Sequence, residues 1–162
     1  MPRFAVELAL AVLFLGLSPL EHPSNPNKLP RAAKSMLEES DKFELLSLAP
    51  ARNLESADGD FHGYGVLGKV IITDPQIRKR LVSAFERGIE ENQGEIAACF
   101  NPRHGIHLTR NGNREDFVIC FECRQAYLYG VVETHVLISA SPQPVFDKAL
   151  LAATTVNAGP AW

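Results

Sequence analysis

Hydrophobic positions recur along this chain at two different periods, and the alternation between them defines its elements. After Asp74 and Pro75, residues Ile77, Leu81, Ala84, Phe85, Gly88 and Ile89 return at three- and four-residue spacing, an apolar stripe about four helical turns long. Asp74 is a side chain that caps a helix start, Pro75 suits the first helical position, and Gly94, just after Asn92, supplies the stop. A second stripe, Val145, Phe146, Ala149, Leu150 and Ala153, follows Ser141-Pro142, which repeats the cap-then-proline signal. A shorter helix is predicted over Arg31 to Ser40, with Ala33, Met36 and Leu37 on one side.

Between the helices the pattern is that of strands. Short extended runs are predicted at Phe43 to Leu48, closed by Pro50, and at Phe61 to Thr73, which ends in Val70-Ile71-Ile72. Further strands are predicted at Ile96 to Phe100, Arg124 to Gly130 and Glu133 to Ile138. Ile106 to Arg110 and Glu115 to Phe121 form a hairpin around Asn111-Gly112-Asn113, because Asn-Gly tolerates the positive φ of a tight turn. Composition marks turns at Glu55 to Asp60 and Asn101 to Gly105. Consecutive strands joined by short turns exclude a doubly wound parallel sheet. The expected fold is α+β, a two-layer sandwich of a mainly antiparallel sheet with two helices packed against it.

One domain over 31–153 accounts for these elements. Residues 19–30 (PLEHPSNPNKLP) carry four prolines and read as an extended linker, and 154–162 as a loosely ordered tail. Leu8 to Leu17 is an unbroken apolar run behind Arg3, too short to span a bilayer and of the length of a signal-peptide core. Glu7 at its start and the lack of an A-x-A site leave a second reading of 1–18, a hydrophobic helix packed on the domain. The expectation is export to the periplasm or cell envelope, with a cytoplasmic location as the alternative. No stable membrane span is expected.

At 46% hydrophobic and 22% charged residues the chain has an ordinary globular composition, and its net charge of -3 argues against a nucleic-acid partner. Arg78-Lys79-Arg80, followed by Glu86, Glu90 and Glu91, reads as a solvated helix face. Gly63, Gly65 and Gly68 match the dinucleotide spacing G-x-G-x-x-G. They precede β-formers rather than a helix, so the match is not a nucleotide site.

All three cysteines and two histidines fall between Cys99 and Cys123. Zinc takes four thiolate or imidazole ligands, and Cys99, His104, Cys120 and Cys123 supply that set, with His107 as substitute or supporting partner. Buried core thiols are a second explanation, since positions 120 and 123 of an unbroken strand point to opposite faces. A disulfide in an oxidising compartment is the third, either Cys99 with one of the other two or a bond within Cys120-x-x-Cys123. Redox enzymes place C-x-x-C at a helix N-terminus, whereas this one sits among strands. A Cys–His nucleophile would pair His104 or His107 with Cys99 or Cys120, oriented by Asp116 or Glu122. Arg103, in the turn before Gly105, is a candidate anion contact.

The segments CFNPRHGI (Cys99 to Ile106) and DFVICFEC (Asp116 to Cys123) resemble those of a group of uncharacterised small exported bacterial proteins of planctomycete type. The likeness extends from Gly63-Tyr64 to Phe146-Asp147. It implies kinship and export, and no chemistry. The reading that follows is a non-enzymatic exported domain, stabilised by its cysteine cluster through zinc or a disulfide, that binds through an open sheet face or its glycine-rich segment. The alternative is a metal-dependent or Cys–His enzyme centred on the same residues.

Overall fold

The computed structural model describes residues 25–52, 59–131 and 133–157. The signal-peptide segment 1–18, residues 19–24 of the linker, most of the turn predicted at Glu55 to Asp60 and residues 158–162 of the tail lie outside the described residues.

The chain is α+β. Its elements run α1 (Arg31–Glu39), β1 (Lys42–Arg52), β2 (Tyr64–Ile71), α2 (Pro75–Glu91), β3 (His104–Arg110), β4 (Asn113–Cys120), β5 (Gln125–Gly130), β6 (Thr134–Leu137) and α3 (Gln143–Asn157). The six strands form one sheet in the order β2-β1-β3-β4-β5-β6, with every neighbouring pair antiparallel. Alternation along the strands gives that sheet two different faces. Phe43 and Leu45 of β1, Ile106 and Leu108 of β3, Phe117 and Ile119 of β4 and Leu128 of β5 pack with the buried stripes of the helices in the main core.

All three predicted helices form and all three serve this core, where the expected sandwich packed only two against the sheet. The additional one is α1, only nine residues long and without a side-chain cap at its start. Its C-terminal end is held by a residue of α2. The Arg78 guanidinium donates to the Leu37 carbonyl at 2.9 and 3.0 Å, to the Ser40 carbonyl at 2.8 Å and to Ser40 Oγ at 2.8 Å. Those carbonyls have no partner inside the helix, so one side chain satisfies the end of another element. Arg78 is therefore not part of a merely solvated face. At the start of α2, Asp74 Oδ1 accepts from the Gln76 amide at 2.7 Å and the Ile77 amide at 3.4 Å, as the capping signal predicts.

Several boundaries differ from the sequence reading. β1 continues through Pro50 to Arg52, because its pairing with β2 becomes irregular beyond Leu48 and no regular ladder bond is lost to the proline. β2 begins at Tyr64 because Phe61 to Tyr64 turns back on itself, with His62 (φ 54°) and Gly63 (φ 84°) both left-handed. The β3–β4 hairpin is tighter than expected. Arg110 pairs directly with Asn113 across Asn111 (φ 49°) and Gly112 (φ 79°), the two positive values a twisted two-residue turn requires.

Residues 96–100 form no strand. β4 already pairs with β3 and β5, so this segment adds no strand beside it and is held by single bonds, including Ala97 N–H to the Cys123 carbonyl at 3.1 Å. α3 runs past Ala153 to Asn157. The end of the proline-rich segment is docked rather than free: Leu29 packs on the core, and the Pro26 carbonyl accepts from Leu137 N–H at 2.8 Å.

Candidate functional site: the cysteine turn and the second sheet face

β4 and β5 are joined by the turn Phe121 to Arg124, closed by Cys120 pairing with Gln125 and by Arg124 N–H donating to the Phe121 carbonyl at 3.1 Å. No glycine or proline marks this turn, and Arg124 takes the left-handed conformation that it needs (φ 60°). The reversal brings Cys120 and Cys123 together, and they form a disulfide. Cys99 is a free, exposed cysteine whose Sγ lies 3.9 Å from Cys123 Sγ. Asn101 N–H donates to Cys123 Sγ at 3.2 Å, and Gln125 Nε2 donates to the Ala97 carbonyl at 2.9 Å. The disulfide turn thus anchors the segment 97–101, which carries Phe100 onto the second sheet face. There the Phe100 ring meets Tyr127 edge-on at 4.7 Å and Tyr64 at 6.3 Å.

The zinc quartet of the sequence reading is not assembled. Cys99, Cys120 and Cys123 do converge, but two of them are bonded to each other, and His104 leaves the group. His104 stands opposite Ile119 and so shares its helix-facing side; its Nε2 is hydrogen-bonded to Asp147 of α3 at 2.8 Å, between the rings of Phe121 and Phe146. His107 lies three residues on and faces the other way. Among the described residues no group of three or more His, Cys, Asp or Glu side chains is arranged to hold a metal ion. Of the Cys–His pairings, those through Cys120 find its sulfur already in the disulfide, and His104 Nε2 is engaged by Asp147. His107 does meet Asp116, but Cys120 is four residues further along β4, about 13 Å at the rise of a strand. Arg103 is exposed and its Nε lies 3.9 Å from Glu122 Oε1, so an anion there would compete with a carboxylate already present.

The second face carries a constellation that the sequence reading did not assemble. Strand register aligns Glu44, His107, Asp116 and Tyr129 in one row across β1, β3, β4 and β5. His107 Nδ1 meets Asp116 Oδ1 at 2.6 Å, and His62 Nε2 meets Asp116 Oδ2 at 2.8 Å. Arg114 Nε lies 3.3 Å from the same carboxylate, while Lys42 and Lys69 flank Glu44 at 3.1 and 3.7 Å. The His62 ring stacks on Tyr129 at 4.1 Å. Gly105 makes this arm possible. Phe61 occupies the place of the missing side chain, so a Cβ on residue 105 would stand 2.9 Å from Phe61 Cε1. His62 carried no periodic or motif signal; its turn conformation and its distance of 54 residues from Asp116 hid it.

Asp116 on the second face and His104 on the helix-facing side make the fold sensitive to acid. Burial would raise the Asp116 pKa, but hydrogen bonds from His62 and His107, with the charges of His107 and Arg114, hold it below its ordinary 3.8. Burial lowers the His104 pKa below its ordinary 6.5, outweighing the Asp147 carboxylate that raises it. Both groups bind protons less readily folded than unfolded, so acid favours the unfolded chain. The His104 contribution is complete above pH 6.5 and lost as pH falls below it; the Asp116 contribution is lost only below pH 3.8. We expect thermal midpoints to fall from pH 7 towards pH 5, and the fall to flatten in His104→Leu. An equal fall in both proteins would remove His104 as its source.

The sheet's two edges are treated differently. The outer side of β6 receives the Pro26 carbonyl. Among the described residues, β2 has β1 as its only strand neighbour, and it exposes Val66 (37%), Leu67 (70%) and Ile71 (52%).

Fold and site together define an α+β domain with a buried disulfide, and among its described residues no helix is long and apolar enough to cross a membrane. No family model matches the chain, and no curated protein does. A solved structure from Clostridium perfringens, provisionally described as a lipoprotein, is similar with a TM-score of 0.41 and 15% identity, over 75% of this chain and 92% of that one. A likeness at that level leaves the chemistry to be read from this chain's own residues.

Proposed function

We propose that this protein is an exported binding domain that takes an extended segment of a partner protein along β2 and the adjoining second face of its sheet. The observation that carries the reading is the outer edge of β2, where Val66, Leu67 and Ile71 are exposed beside a strand with no described neighbour on that side. Unpaired strand edges are templates for another strand, and folded proteins blunt them with charge, bulges or covering chain. β6 is covered in this way, whereas β2 offers Lys69 and two register shifts in its pairing with β1, one at Leu67 and one between Val66 and Tyr64. Strand addition draws affinity from main-chain hydrogen bonds and selectivity from alternate side chains. The row from Glu44 to Asp116 lies on β1, β3 and β4 beside it.

Export is supported by the disulfide, since such bonds persist in oxidising compartments, and by the apolar run Leu8 to Leu17 behind Arg3. The motif resemblance to exported bacterial proteins accords with it. The test is binding of an array of ten-residue peptides rich in valine and isoleucine to the wild-type protein and to Leu67→Asp, which places a like-sized charge on an exposed position. Binding of a subset of peptides, weakened at least about tenfold by Leu67→Asp at unchanged thermal stability, is the expected result. Retention of wild-type binding by Leu67→Asp, or binding of no peptide, would overturn the assignment.

A further inference from the structure

The cysteine turn holds more chemistry than a staple needs. Cys120 and Cys123 are 2% and 1% exposed, so an external thiol has almost no approach to either sulfur. Cys99 is exposed, and its Sγ at 3.9 Å from Cys123 Sγ is near the contact distance of two sulfurs. Thiol–disulfide exchange requires such an approach of a thiolate to one disulfide sulfur, together with a leaving sulfur that can bear charge. We propose that the three cysteines form a thiol–disulfide relay, in which exposed Cys99 passes electrons from an external dithiol to the buried Cys120–Cys123 bond.

The first step is internal. The Cys99 thiolate attacks Cys123 Sγ; the Cys99–Cys123 bond forms, the Cys120–Cys123 bond breaks, and Cys120 leaves as a thiolate. Partners for that leaving sulfur are already in place. Cys123 N–H points at Cys120 Sγ at 3.2 Å, and the Asn101 carbonyl stands 3.3 Å away to accept from the thiol once it is protonated. This isomerisation consumes no oxidant.

In the second step a thiolate of the dithiol attacks Cys99 Sγ, now an accessible disulfide sulfur. A mixed disulfide forms and Cys123 leaves as a thiolate, which accepts the Asn101 N–H that lies 3.2 Å from its sulfur. The second sulfur of the dithiol then attacks the first, closing an external disulfide and releasing the Cys99 thiolate. Two electrons pass from the dithiol to the protein, and Cys120 and Cys123 take up the two protons that the dithiol gives up. The geometry differs from a C-x-x-C motif at a helix N-terminus, because here the attacked pair is buried and the entry thiol lies outside the motif.

The test uses the full chain purified without reductant. Dithiothreitol is added at one pH, samples are quenched with acid and alkylated, and the rate at which the Cys120–Cys123 cross-link disappears is read by peptide mass spectrometry. Cys99→Ser and Cys99→Ala change an exposed position, and circular dichroism checks their folding. The wild type is expected to lose the cross-link at least about tenfold faster than both variants, and a minor Cys99–Cys123 cross-link is expected before dithiol is added. Equal rates in the wild type and both variants, or faster loss in the variants, would overturn the relay.

Discussion

Phe117→Ala is expected to destabilise the domain by about 3–5 kcal/mol, the range for removing a fully buried aromatic ring. Phe117 has no exposed surface and sits in β4, with strands on both sides. It stands opposite Ile106 on β3 and Leu128 on β5, and its ring meets Phe85 of α2 edge-on at 5.6 Å. Sheet and helix layers therefore meet at this one side chain, and the neighbours cannot collapse into the space without shifting an element. Urea unfolding should show a lower midpoint at an unchanged slope, the signature of lost stability without a change in the surface exposed. A loss below about 1 kcal/mol would mean that the ring is not at the centre of the core.

Gly105→Val is the second large effect, and it links packing to the second face. A valine at 105 would need the space that Phe61 fills, with the first clash at the Cβ, 2.9 Å from Phe61 Cε1, and a further contact at 3.4 Å from Leu46 Cβ. Expelling Phe61 carries His62 with it, because the two are consecutive. His62 then loses its 2.8 Å bond to Asp116 and its stacking on Tyr129. Overpacking of this kind costs about 1–3 kcal/mol. NMR of the imidazole ring protons should show His62 moving to solvent-exposed shifts while His104, on the far side of the sheet, keeps its environment. An unchanged His62 signal would contradict the assigned role of Gly105.

Much of the architecture was legible because long apolar stripes and strong local signals agree. Asp74-Pro75 caps α2 where expected, and Asn111-Gly112 turns the β3–β4 hairpin. Sequence reasoning failed where tertiary context overrides local preference. The run from Ile96 to Phe100 has strand-forming residues, yet β4, whose following turn it packs against, is already paired on both sides. The Phe121 to Arg124 turn has none of the residues that announce a reversal, so the meeting of Cys120 and Cys123 could not be read in advance. That turn selects the pairing within C-x-x-C from the disulfides the three cysteines allow. His104 was grouped with the cysteines by proximity in sequence. Strand alternation sends it to Asp147 and sends His107 to Asp116, a separation that parity along β3 expresses but that the cluster obscured.

A buried Cys120–Cys123 bond with a third, exposed thiol beside it is the central feature of this domain. The most direct test is a free-thiol count and cross-link map on protein purified without reductant or chelator and denatured in chelator, with metal content measured on the same sample. One titratable thiol per chain, a cross-link that involves Cys123 and no bound metal is the predicted result. Three titratable thiols with one zinc per chain would contradict it, removing both the disulfide and the relay built on it.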